Sequence, residues 1–184
     1  MRHDLPKNFY ILDAQEHTDL FHDCIVPEKF SHVRPVLNPV AYFVGAQPGS
    51  GKSFVQRRIR LMLEAMHGSR SVMEIVGDEF RKYHTKHEWL LEEYGEGAAF
   101  FTDLDSGRWV ELAIAESLAI RPNVVLEGTL RRSKVVIATA KMYRSAGFTT
   151  ELHIPVVHGF ESRLYIVERY LRQISLQVQA RYTL

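Results

Sequence analysis

The nine residues Gly45-Ala46-Gln47-Pro48-Gly49-Ser50-Gly51-Lys52-Ser53 constrain this chain more than any others, because they stand between a strand signal and a helix signal. Before them, Val40-Ala41-Tyr42-Phe43-Val44 is a short apolar run, the pattern of a strand buried on both faces. After them, Val55, Ile59, Met62, Leu63 and Met66 recur at helical offsets and predict an amphipathic helix ended by His67-Gly68. The segment fits the phosphate loop G-x-x-x-x-G-K-[S/T], with Ala46 in the first glycine position. Gly49 and Gly51 let the backbone curl until successive N–H groups face one anion, and the following helix adds its N-terminal dipole. Lys52 is then placed to reach the β- and γ-phosphates of a nucleoside triphosphate, and Ser53 to hold Mg²⁺. The plainer alternative is a glycine-rich turn that merely caps a helix. The intact Gly51-Lys52-Ser53 ending argues against it.

The rest of the chain repeats the alternation. Val72 to Val76, Asn123 to Leu126 and Leu152 to Val157 read as further strands, the last interrupted by Pro155. Val110, Ile114 and Leu118 share a helix face that Arg121-Pro122 terminates, and Ser133 can cap a helix running to Gly147. Leu164, Val167, Leu171, Ile174 and Val178 mark a last amphipathic helix. Strands separated by helices require right-handed crossovers, so the expected fold is α/β, a phosphate-loop kinase-like parallel sheet with helices on both faces. Residues 1–38 read as an N-terminal helical extension with one helix from Ala14 to Cys24, and residues 39–184 as the kinase-like domain. The chain stops six residues after the last stripe, which suggests a domain shorter at its C-terminus than its relatives.

Composition narrows the function classes. Of 184 residues, 46% are hydrophobic and 24% charged, which fits a packed globular domain. The formal charge of +1 lacks the basic excess of a nucleic-acid or anionic-membrane binder, so neither partner is expected. One cysteine, Cys24, excludes an internal disulfide and a multi-cysteine zinc cage, and beside Ile25 it reads as core. No apolar run approaches the roughly 18–20 residues of a membrane span, and the first ten residues lack the apolar core of a secretion signal. The expectation is a soluble protein of a reducing compartment. His84 and His87 are three apart, but with no third ligand in view a metal site is not expected there.

A phosphate loop specifies a nucleoside triphosphate without saying what is done with it. The N-K-x-D base-reading motif of GTPases is absent, as is the apolar run with paired Asp-Glu of motor ATPases, which leaves a small-molecule kinase as the leading class. Gly77-Asp78-Glu79-Phe80-Arg81 follows directly on the second strand. In a doubly wound sheet the strand C-termini converge on the ligand crevice, so Asp78 is a candidate to accept the proton of an attacking hydroxyl. The plainer alternative is that it caps the helix that starts near Glu79. Glu127-Gly128-Thr129 closes the third strand at another C-terminal edge.

Taken in order, the loop, the segment Asp78-Glu79-Phe80-Arg81-Lys82-Tyr83-His84 and Glu127-Gly128-Thr129 resemble the zeta toxins, bacterial kinases of toxin–antitoxin systems. The resemblance runs from about Ile25 to Thr183. It implies transfer of phosphate from ATP to the 3′-hydroxyl of the sugar in UDP-N-acetylglucosamine, a block on cell-wall synthesis, a bacterial cytoplasmic location, and neutralisation by a small epsilon-type antitoxin or an equivalent inhibitory segment. By position, Asp78 matches the family's general base in a D-x-F-R-x-x-H segment, although Thr85 stands where proline often follows the histidine. Glu111 matches a helix glutamate that contacts the substrate sugar. Glu127 and Thr129 match the family's E-G-T against the same sugar, and Arg131 matches the arginine two residues beyond. Arg169 and Arg181 match phosphate-binding arginines.

The residues themselves leave alternatives open. Glu111 can be an exposed helix residue, Thr129 can begin a turn, and Arg172 shares the helical face of Arg169 and competes for its role. Arg181 lies three residues from the terminus, where chains fray. A kinase with another acceptor would carry the same loop and base, and a non-catalytic nucleotide-binding or antitoxin-binding module would carry the loop alone.

Overall fold

The computed structural model describes residues 5–45, 47–128, 130 and 132–175. In chain order the elements are helix α1 (Ala14–Leu20), a π-helical stretch (Phe21–Phe30), strand β1 (Val40–Gly45), helix α2 (Lys52–His67), strand β2 (Val72–Val76), a one-turn helix α3 (Gly77–Phe80), helix α4 (His87–Tyr94), the long helix α5 (Ala98–Ile120), strand β3 (Asn123–Gly128), helix α6 (Ser133–Ser145), strand β4 (Thr149–His153) and helix α7 (Gly159–Ser175). The strands form one sheet in the order β2-β3-β1-β4, with β1 parallel to both of its neighbours. The fold is α/β, as the alternating pattern predicts.

Two compact units divide the chain. One holds Arg34–Glu74 and the residues from Arg121 onward; the other holds the residues up to Val33 and Ile75–Ile120.

In the first unit, β1 is central because each of Ala41 to Gly45 is buried. Its alternating side chains serve two faces. Tyr42 and Val44 pack with Ile59 and Leu63 of α2, Val72 of β2 and Val125 of β3. Phe43 meets Tyr143 of α6 edge-on, with ring centroids 6.1 Å apart, so the other face is covered too. The buried stripe of α2 is narrower than its sequence suggests. Val55, Ile59 and Leu63 face the sheet, whereas Met62 and Met66 are 43% and 67% exposed. Gly68, at φ +90°, closes α2 as its sequence predicts.

Three expectations in this unit need correction. The fourth strand is Thr149–His153, earlier than the apolar run Leu152 to Val157. It lies at the sheet edge, where one flank needs no apolar partner, and Pro155 cannot donate to a ladder. Ser133 is the first residue of α6, while Arg132 takes the cap position without a side-chain bond. Among the described side chains of α7 the buried ones are Ser162 and Ile166, while Leu164, Val167 and Leu171 are exposed. Val178 lies outside the described residues.

In the second unit, α5 runs 23 residues, starting well before Val110. Its buried residues are Ala98, Phe101, Thr102, Asp105, Ser106, Trp109, Ala113 and Ser117, and Val110, Ile114 and Leu118 are only half-buried flanks. Polar residues are accommodated there because neighbouring segments approach closely and bond to them. Asp105, fully buried, accepts from Leu12 N–H at 3.2 Å and from Arg108 at 3.0 Å. The His17 ring stacks on Trp109 at 4.7 Å, and the indole N–H donates to the His17 carbonyl at 2.9 Å. Desolvation holds the His17 ring below its ordinary pKa, which keeps it neutral in this setting. Asp13 caps α1 through Gln15 N–H and Glu16 N–H. The helix expected to run to Cys24 stays α-helical only to Leu20 and widens into the π-helical stretch, which contains Pro27. Cys24 is exposed rather than core, because that change of winding carries it off the face of Phe21 and Ile25.

Candidate functional site

The phosphate loop is tied down at several points. Gly49 and Gly51 take φ of +72° and +82°, conformations that other residues adopt at a cost, and the loop then turns straight into α2. Ser50 is buried and its hydroxyl donates to the Gln47 carbonyl at 2.7 Å. The segment around α7 holds the other side: Ser162 Oγ donates to the Pro48 carbonyl at 2.6 Å, and Gln47 Nε2 to the Val157 carbonyl at 3.1 Å. A methyl group added to Gly49 would sit 2.3 Å from the Ser162 carbonyl oxygen, whereas one added to Gly51 would meet nothing within 4 Å. Open space over Gly51 and close packing behind Gly49 suit a loop whose inner face receives a phosphate. Ala46 lies outside the described residues.

These contacts make a stability prediction. Gly49→Ala meets both a clash with backbone and a positive φ, so it is expected to lower thermal stability and to weaken ATP-analogue binding about tenfold or more. Gly51→Ala carries the φ penalty without the clash and should be milder in melting and calorimetric titration alike. Equal effects of the two would contradict the close packing of Gly49 against the Ser162 backbone.

Lys52 is the first residue of α2 and Glu127 lies near the end of β3. Lys52 Nζ stands 3.3 Å from Glu127 Oε1, with the two side chains 20% and 18% exposed. This places a phosphate-binding candidate and a sugar-binding candidate in direct contact. Ser53, in the first turn of α2, is exposed and available to a cation. Gly45 pairs with Gly128 in the sheet register, and Leu130, at φ +53°, lays its side chain where a Gly45 methyl would be. Thr129 and Arg131 lie outside the described residues.

The remaining candidates in this unit are on or beyond α7. The backbone of Arg169 belongs to α7, and its side chain is outside what is described. Arg172 is exposed and donates to Glu168 at 2.7 Å, one helical turn back. Arg181 lies outside the described residues.

In the other unit, Asp78 and Glu79 occupy the single turn of α3. Ser106 Oγ donates to the Gly77 carbonyl at 2.6 Å, fixing the entry to this turn. Asp78 does not cap α3: Val76 holds the cap position with no side-chain bond. The Asp78 side chain is 60% exposed, and Oδ1 accepts from Arg81 Nε at 3.0 Å. Glu79 is bound by Lys29 instead. Glu111 is exposed on α5. His84 of the same motif is buried; it donates from Nε2 toward the Tyr10 carbonyl at 3.0 Å, while Nδ1 accepts from Lys86 N–H at 3.1 Å.

A parallel sheet whose central strand runs through a glycine loop into a helix, with a lysine opening that helix, defines a phosphate-loop α/β protein. A family model described as "Zeta toxin" matches residues 25–184, and the chain belongs to that family. Among curated proteins, Toxin zeta of Enterococcus hirae is 30% identical over 166 residues, covering 90% of this chain and 54% of that protein. Toxin PezT of Streptococcus pneumoniae serotype 4 is 29% identical over 132 residues, covering 72% of this chain and 50% of its own length. The chain thus spans about half the length of the curated relatives it matches. A solved structure from the PezAT chromosomal toxin–antitoxin system of Streptococcus pneumoniae superposes with a TM-score of 0.81 at 23% identity, covering 94% of this chain and 68% of that one.

Two residues, one in each unit, carry no role that the motifs assign. Ser162 anchors the loop from a helix more than a hundred residues away, and no local pattern marks it. Arg81 stands inside the D-x-F-R-x-x-H segment three residues after Asp78, a helical spacing that brings the two side chains together and was the available signal.

Proposed function

We propose that this chain is the ATP-dependent kinase of a toxin–antitoxin system and phosphorylates the 3′-hydroxyl of the sugar of UDP-N-acetylglucosamine, so blocking cell-wall synthesis. The observation that carries the reading is the phosphate loop with Lys52 at its mouth, 3.3 Å from Glu127, in a chain of the zeta toxin family. Lys52 leaves Glu127 for the β- and γ-phosphates of ATP, and Glu127 then turns to the hydroxyls of the sugar. Asp78 takes the proton of the attacking 3′-hydroxyl as its oxygen bonds to the γ-phosphorus and the bond to the ADP oxygen breaks. Lys52, Arg169 and Arg181 stabilise the charge on the transferring phosphoryl oxygens, and Glu111, Thr129 and Arg131 orient the sugar with Glu127.

Ser53 is the residue that would hold Mg²⁺; its exposed hydroxyl in the first turn after the glycine loop suits a hard cation. When bound, that ion neutralises phosphate charge. The reading extends to a cytoplasmic location and to a small epsilon-type antitoxin, or an equivalent inhibitory segment, that obstructs the nucleotide site. No helix among the described residues is long and apolar enough to cross a membrane.

The direct test is mass spectrometry of UDP-N-acetylglucosamine after incubation with the protein, ATP and Mg²⁺. A gain of one phosphoryl group is expected, with loss of the product when the free 3′-hydroxyl is blocked. An unchanged sugar nucleotide alongside turnover of ATP on another acceptor would overturn the substrate, and no turnover on any acceptor would overturn the activity.

A further inference from the structure

Arg81 is a buried arginine beside an exposed carboxylate, and its own position is fixed from behind. Its Nη1 donates to the Ala99 carbonyl and to Thr102 Oγ1, the latter at 3.2 Å, and its Nη2 to Asp103 Oδ1 at 2.8 Å. All three acceptors lie on the first turns of α5, a 23-residue helix. Only Nε points forward, to Asp78 Oδ1 at 3.0 Å. The guanidinium therefore works as a bracket between a rigid helix and the single turn that carries Asp78.

We infer that Arg81 is a positioning residue for Asp78, clamping one oxygen of the carboxylate and thereby fixing the direction in which the other meets the acceptor hydroxyl. The inference rests on Asp78 acting as the base. Transfer is sensitive to small misplacement of the reacting groups, so a fixed contact to one carboxylate oxygen matters. The bracket is charged on both sides. Burial pushes the Asp103 carboxyl up, but the hydrogen bonds from Lys7 and Arg81 and their positive charges outweigh this and hold it below the usual carboxylate range. Asp103 thus stays ionised at neutral pH and keeps its grip on Nη2. Lysine cannot replace this arginine, because one ammonium has no planar fork to span Asp78 and α5 together.

The test is steady-state phosphoryl transfer with Arg81→Lys, Asp78→Asn and the double variant. Arg81→Lys is expected to lower kcat about 10²-fold at unchanged ATP affinity. The double variant should lose no more than Asp78→Asn alone, since Arg81 acts only through Asp78. If Arg81→Lys does not fold, Asp103→Asn carries the same test: kcat should fall severalfold, while Lys7→Gln, which removes the other partner of Asp103, keeps wild-type kcat. Wild-type kcat in Arg81→Lys or Asp103→Asn, losses that multiply in the double variant, or equal losses in Asp103→Asn and Lys7→Gln, would overturn the positioning role alone. Near-normal transfer in Asp78→Asn, or a wild-type chain without transfer to any acceptor, would remove the base and its bracket together.

Discussion

Lys52→Ala is expected to abolish phosphoryl transfer, by 10²-fold at the least, while the protein still folds. A single pre-organised donor to developing charge is worth about 10²–10³ in rate, and Lys52 also carries a full charge toward phosphate. The structural cost should be small by comparison. Lys52 opens α2 outside the apolar cluster of Ile59 and Leu63 on the sheet, and among the described residues it loses one ion pair, with Glu127. The pair is largely sheltered, at 20% and 18% exposure, but Glu127 keeps some contact with water, so the cost of leaving it unpaired should fall below the roughly 3–5 kcal/mol of a fully buried pair. Glu127→Gln separates the two halves of that pair. Freed from competition, Lys52 should bind an ATP analogue at least as tightly as before, while transfer to the sugar falls. Melting curves, calorimetric titration with a non-hydrolysable analogue and product mass spectrometry on the three proteins check this together. An unfolded Lys52→Ala, or one with wild-type turnover, would defeat the assignment.

What could be read in advance follows from how far apart the interacting residues lie. The β1–loop–α2 unit is local: strand, glycines and helix stripe are consecutive, so Val40–Gly45 and Lys52–His67 emerge almost at their observed bounds. The second strand, Val72–Val76, is bounded by turn signals on both sides and is equally plain. The N-terminal half of α5 was not legible, because its buried column uses Thr102, Asp105 and Ser106, which hydrophobic periodicity counts as exposed. Arg81, Leu12 N–H and the Gly77 carbonyl arrive to bond with Thr102, Asp105 and Ser106 in turn, and such partners are set by tertiary structure. The same reason hid the loop's tie to Ser162 and the contact between Lys52 and Glu127, 75 positions apart in sequence. Residue type and strand-end position marked Lys52, Asp78 and Glu127 as candidates; the network that orients them depends on distances no motif encodes. Edge strand β4 was misplaced because an edge needs only one apolar flank, which leaves the alternation too weak to set its register.

Asp78→Asn should remove sugar phosphorylation by about 10²–10⁴-fold while sparing ATP binding, and Glu79→Gln should leave activity close to wild type. The two carboxylates are consecutive on one helical turn, so their side chains leave the axis about 100° apart and meet different surroundings. Glu79 is held by Lys29 and is more than half exposed, an arrangement whose loss typically costs about 0–1 kcal/mol. Asp78 instead accepts from the bracketed Arg81, which holds its carboxylate without neutralising it by proton transfer. Asparagine at position 78 keeps the volume and a carbonyl oxygen for Arg81 Nε, so the turn should survive, but its amide has no pair of electrons basic enough to take a hydroxyl proton. The loss should therefore appear in kcat for transfer and leave the affinity for a non-hydrolysable ATP analogue and the melting temperature nearly unchanged. Glu79→Gln serves as the matched control, since it removes the same charge one residue away. Equal losses in the two variants would mean that the local negative potential, rather than a base at Asp78, drives the reaction; near-normal transfer in Asp78→Asn would place the base elsewhere.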